Sequence, residues 1–220
     1  MAREGRELMR SGGDLEAKGY VRRVMADPVR RRATYEDVLA APENLVAQVI
    51  DGELHLHPRP RRRHLRAAST VGGFLSGAFD SGVSGPGGWG VLHEPELHLG
   101  SEPDIVVPDL AAWREDRYPG DVDDDSPFFT VAPDWICELL SESTARLDRM
   151  KKVPIYAREK VRHVWIVDPR DRTIEVFRLE GAGDALVGTF GGEDEAFALE
   201  PFDAVPIPPH CFWGRRTSKT

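Results

Sequence analysis

The feature that most constrains this chain is an apolar run with one acid inside it, Trp135-Ile136-Cys137-Glu138-Leu139-Leu140. Its length and content read as a buried strand. An ionised carboxylate in apolar surroundings costs several kcal/mol unless it is paired or metal-bound. Glu138 therefore needs a partner. A second apolar stretch repeats the pattern, with Asp104 in Glu102-Pro103-Asp104-Ile105-Val106-Val107. Neighbouring strands lie about 4.8 Å apart, so pairing of these two would let both carboxylates share a hard cation. The alternative is that each caps a strand end or pairs with an arginine.

The remaining elements alternate in type. Thr34 with Asp37 reads as a capping box for a short helix that Pro42 ends, and Gln48–His57 reads as two strands joined at Asp51-Gly52. Residues 64–80 carry apolar positions at helical spacing, with Gly72-Gly73 inside, which weakens the helix or admits a close neighbouring backbone. A helix from Ser143 or Thr144 to about Arg158 is broken or kinked at Pro154, and Val161–Val167, Thr173–Leu179 and Ala185–Phe190 read as strands. The order predicts an α/β (α+β) domain with a mixed sheet. Residues 1–33 are polar and arginine-rich and are expected to form an extension; residues 214–220 form a tail.

Composition narrows the function classes. A net charge of −8 argues against a nucleic-acid coat protein, although one local basic patch would still serve an enzyme acting on nucleic acid. Two cysteines cannot build a disulfide framework, which points to the cytoplasm. No run of roughly 18 apolar residues predicts a membrane span, and the first residues lack the apolar core of a secretory signal.

Only five of the 29 basic residues are lysine, so the doublet Lys151-Lys152 stands out. Asp148, Lys152 and Tyr156 recur at i, i+4 and i+8 and share one helix face. A lysine facing a carboxylate pair suits water activation and stabilisation of phosphate charge; the plain alternative is a surface ion pair. Arg59, Arg61, Arg62, Arg63 and Arg66 form a cationic stretch around His64 that suits phosphates, or else a solvated loop.

The segment Ala132–Thr144, followed by Asp148-Arg149, Lys152, Tyr156-Ala157 and Trp165-Ile166-Val167-Asp168-Pro169, resembles the Uma2 family of the PD-(D/E)XK nuclease superfamily. Asp51-Gly52-Glu53-Leu54, His64 and Pro103-Asp104 fall in that family's order. The resemblance implies a single nuclease-like domain over residues 34–213. Its expected fold is a restriction-endonuclease-like core, a mixed sheet flanked by helices with an added antiparallel hairpin region.

It further implies a DNA endonuclease in which Asp104 and Glu138 hold Mg²⁺, with Mn²⁺ as a substitute. Lys152, with Lys151 as fallback, would stand over the water, Tyr156 would position Lys152 or a phosphate, and Glu53 would orient a further water. Arg61, Arg62, Arg63, His64 and Lys151 are the expected DNA contacts, and a symmetric dimer would suit cleavage of both strands. The family usually carries glutamate at Gln48 and often glycine at Lys160. Two rivals stand beside this reading: a nuclease fold that binds without cutting, and a cupin-like metal barrel using His55, His57, His93 and His98.

Overall fold

The structure, a computed structural model, describes residues 31–120, 124–180, 183–193 and 195–214. Nearly all of the expected N-terminal extension and the tail after Gly214 lie outside the described residues. The described residues from Arg32 onward form one unit.

Two sheets build it. The smaller is antiparallel, in the order β2-β1-β5-β4, from β1 (Leu45–Ile50), β2 (Glu53–Pro58), β4 (Leu97–Leu99) and β5 (Asp104–Val106). The larger runs β10-β9-β8-β7-β6-β3, from β3 (Trp89–His93), β6 (Leu110–Arg114), β7 (Trp135–Leu139), β8 (His163–Asp168), β9 (Thr173–Glu180) and β10 (Gly183–Gly191). It is mixed, because β7 and β8 run parallel. A parallel pair needs a crossover, and here it is helical. The crossover comprises α3 (Ala145–Leu147), a π-helical turn (Asp148–Lys152) and α4 (Val153–Arg158).

The hairpin signal at Asp51-Gly52 is borne out: Asp51 (φ 53°) and Gly52 (φ 77°) both take the left-handed region that a two-residue turn demands. The capping box on α1 (Tyr35–Leu39) is present. The helix expected over 64–80 is α2 (Arg62–Leu75) continued by a π-helical turn to Asp80. At Gly72 the close approach is by the side chains of His93 and Leu110 rather than by backbone.

The alternation of β7 explains its uniform burial. Trp135, Cys137 and Leu139 enter a core with α2 and α5 (His210–Trp213), while Ile136 enters a second core with Ile155 and Tyr156 of α4. Glu138 points to that second side. Two open sheets in this order exclude the cupin-like barrel. No helix among the described residues is long and apolar enough to cross a membrane.

Pro154 sits at the start of α4, directly after the π turn, so the helix changes pitch where proline would otherwise break it. The exit of α4 is strained at Lys160 (φ 65°), while the Val161 N–H closes back on the Tyr156 carbonyl at 2.9 Å. This is the αL position that glycine fills without steric cost. Lys160→Gly is expected to stabilise the fold by about 0.5–1 kcal/mol, measured by urea unfolding.

Candidate active site

β6 and β7 pair antiparallel with Leu110 opposite Cys137. One step further in the same register sets Asp109 opposite Glu138, and opposed residues face the same side of a sheet. The Leu139 N–H donates to Asp109 Oδ2 at 2.7 Å, and His64 Nε2 lies 2.5 Å from Asp109 Oδ1. Each oxygen keeps a lone pair for a further partner.

Glu138 is met from the crossover helix. Lys152 Nζ lies 2.7 Å from Glu138 Oε1, with side chains of both 3% exposed, and 3.3 Å from Asp148 Oδ1. The Tyr156 hydroxyl donates to the same Oε1, while Oε2 accepts no hydrogen bond among the described residues. Asp109, Glu138, Asp148, Lys152, His64 and Gln48 line one cleft of about 970 Å³. Gln48 is held in place by the Val107 N–H, which donates to its Oε1 at 2.9 Å.

Charge in this site is unbalanced toward acid. Burial pushes the Glu138 carboxyl up to about 8, opposed by Lys152 and reinforced by Asp148 and Asp109. Burial works against the Lys152 ammonium, but Glu138 and Asp148 outweigh it and hold its pKa above the ordinary lysine value. Burial also opposes a charged His64, yet the hydrogen bond to Asp109 and its charge hold that imidazole's pKa above the ordinary value. Tyr156 is raised well above the usual phenol by burial and by Glu138, so it stays protonated and donates.

The donor set fits a hard divalent cation. Buried carboxylates from β7 and the π turn and a partly buried one at the entry to β6 crowd one wall, and carboxylate oxygens are what Mg²⁺ and Mn²⁺ prefer. Among the described residues no three His, Cys, Asp or Glu side chains form a ready metal cluster. Asp109 and Glu138 would thus supply two ligands and leave the remainder to water and phosphate, as Mg²⁺ commonly takes.

Several expected site residues sit elsewhere. Asp104 does not join Glu138, because β5 and β7 belong to different sheets. Its Oδ1 accepts the Asp51 N–H and its Oδ2 pairs with Arg158, each at 2.6 Å. That is the arginine-pairing alternative. Glu53 is exposed on β2 and does not line the cleft. Lys151 points away to Asp51, leaving Lys152 as the inward lysine. Arg61, Arg63 and His64 line the cleft, whereas Arg62 does not.

Asp109 was the residue the sequence reading passed over. The signal was present as a second Pro-Asp dipeptide, Pro108-Asp109, directly ahead of the strand Leu110-Ala111-Ala112-Trp113.

The fold and this wall of acids with one inward lysine define a restriction-endonuclease-like domain. Residues 33–205 match the Uma2 family, described as "Putative restriction endonuclease", and the chain belongs to that family. The fold is shared with the "Crystal structure of a putative nuclease belonging to DUF820 from Anabaena variabilis ATCC 29413". That similarity has a TM-score of 0.65 at 20% identity and spans 82% of this chain and 97% of that one. No curated protein matches the chain.

The raised Glu138 pKa has a consequence for stability. A carboxyl that binds its proton more tightly folded than unfolded stabilises most at low pH and loses that contribution as pH rises. In EDTA, the stability of the wild type relative to Glu138→Gln is expected to fall between pH 4.5 and about 8. Urea unfolding of both proteins at pH 5 and pH 8 measures the difference.

Proposed function

We propose that this protein is a divalent-cation-dependent endonuclease that hydrolyses phosphodiester bonds in DNA. The observation that carries the reading is the hydrogen bond from the Leu139 N–H to Asp109 Oδ2, which ties Asp109 to the strand of Glu138, itself paired with the buried ammonium of Lys152. The family description supports the reaction class.

Asp109 and Glu138 would hold Mg²⁺ or Mn²⁺, which when bound polarises a phosphate oxygen and lowers the pKa of water. The acidic neighbours raise the Lys152 pKa and favour its ammonium form, which suits a hydrogen-bond donor rather than a base. Its role is to hold the attacking water by hydrogen bond and to offset charge growing on the phosphate oxygens. Tyr156 and Asp148 hold Lys152 and Glu138 in place, Tyr156 by donating to the oxygen that Lys152 also contacts. His64 fixes Asp109, and its packing at the cleft wall limits the rotamers of that carboxylate.

The DNA backbone would enter past Arg61 and Arg63, which line the cleft and have no carboxylate at ion-pair distance among the described residues. Arginine suits phosphate through its planar donor fork. Such contacts give affinity that falls with salt and carry no base sequence information.

Supercoiled plasmid incubated with Mg²⁺ tests the chemistry. Asp109→Asn, Glu138→Gln and Lys152→Met are each expected to lower the cleavage rate by about a hundredfold or more, as loss of one transition-state-stabilising group does. Retained cleavage in Asp109→Asn or Glu138→Gln would overturn the assignment. Arg61→Gln and Arg63→Gln are expected to weaken binding to any duplex, each reducing the slope of log affinity against log salt by about one. Fluorescence anisotropy across a salt series reads that slope.

A further inference from the structure

The helical segment that carries Lys152 and Tyr156 is tied at Lys151 to the β1–β2 turn and at Arg158 to Asp104 beside that turn. Lys151 Nζ lies 2.5 Å from Asp51 Oδ2. The Asp51 N–H donates to Asp104 Oδ1, and Arg158 Nη2 donates to Asp104 Oδ2, each at 2.6 Å. The chain of contacts Lys151–Asp51–Asp104–Arg158 thus begins one residue before Lys152 and ends two residues after Tyr156. Neither Asp51 nor Asp104 lines the cleft.

The segment needs an external tie. Its α-helical pieces are three and six residues long, separated by a π turn, and Pro154 supplies no N–H. Helices this short are marginal without tertiary support. A π turn also holds more residues per turn than an α-helix, so its rotation is weakly fixed by its own hydrogen bonds. The segment packs through Ile155 and Tyr156 into the second core, and its two lysines leave the π turn in different directions. Lys151 goes to Asp51, and Lys152, next in sequence, goes to Glu138.

Only one member of the chain is buried: the Asp104 side chain is 5% exposed, whereas Lys151, Asp51 and Arg158 are about half exposed. Asp51 occupies a left-handed conformation that an aspartate tolerates better than most residues. The Lys151 hydrogen bond holds its carboxyl below the usual carboxylate range.

We infer that Asp51 and Asp104 are positioning residues, which through Lys151 and Arg158 fix the rotation of the π turn and so place Lys152 and Tyr156 on Glu138. This rests on the hydrolytic reading above. The acid in the first Pro-Asp dipeptide thereby acts on the reaction from outside the cleft, through the helix.

The test uses the full chain and five variants: Asp51→Asn, Asp104→Asn, Lys151→Met, Asp51→Asn with Lys151→Met, and Lys151→Arg. Asparagine keeps the turn conformation at 51 and an acceptor oxygen at 104 while removing the charge. Plasmid nicking gives kcat and KM, and amide hydrogen exchange reports residues 148–158 against β8. Asp51→Asn, Asp104→Asn and Lys151→Met are expected to lower kcat about tenfold with KM within about twofold, since small misplacement of a reacting group has costs of this order.

The double variant should lose no more than its singles, because both remove the same tie, and Lys151→Arg should restore kcat. Exchange should rise in 148–158 and stay low in 163–168. Unchanged kcat in Asp51→Asn and Asp104→Asn overturns the inference. So does a KM change alone, or a rise in exchange spread over the whole chain. If the wild type cuts nothing, that outcome counts against the hydrolytic reading only. Exchange then decides the tie: a local rise supports it, and unchanged exchange in 148–158 overturns it.

Discussion

The buried pair of Glu138 and Lys152 is the interaction around which the cleft is arranged. Both side chains are almost fully withdrawn from water, and their contact is 2.7 Å. Moving two ions into such surroundings costs several kcal/mol each, and their mutual attraction offsets this only when geometry is good and further hydrogen bonds are made. Those further bonds come from Asp148 and Tyr156. Apolar residues of similar volume would serve folding as well or better. The stability it lends therefore does not account for the pair, and the role proposed for it in the cleft would.

The fold delivers this pair by simple means. A parallel step from β7 to β8 requires a crossover, and the crossover helix must cross the face toward which Glu138 points. Antiparallel pairing of β6 with β7 sets Asp109 beside it from the other side. The smaller sheet contributes Gln48 and His57 to the cleft wall, and α2 brings His64 and Arg63. These elements thus converge on one cleft, and all but β2 contribute residues to the two aromatic- and aliphatic-rich cores.

Much of this was legible in the residues alone, and the exceptions have physical reasons. The hairpin at Asp51-Gly52, the strand around Glu138 and the helix bearing Lys152 and Tyr156 each carry a local signal, in turn chemistry or periodicity. Strand pairing carries none. Asp104 and Asp109 stand in two similar Pro-Asp dipeptides five residues apart, and both precede apolar runs. Only the division into two sheets shows that the first strand pairs with β1 and β4, and the second with β7. Glu53 failed for a different reason: it shares a face of β2 with His55 and His57, but it stands at the turn end of the strand, and only His57 toward the other end lines the cleft. The π turn was likewise invisible, since Pro154 announced an irregularity without giving its form.

Diffraction at the manganese absorption edge, from crystals soaked in Mn²⁺, tests the central claim most directly. The account predicts an anomalous peak between the carboxylates of Asp109 and Glu138, in contact with both. A peak at Asp104 instead, or none near Glu138 at saturating Mn²⁺, would contradict it.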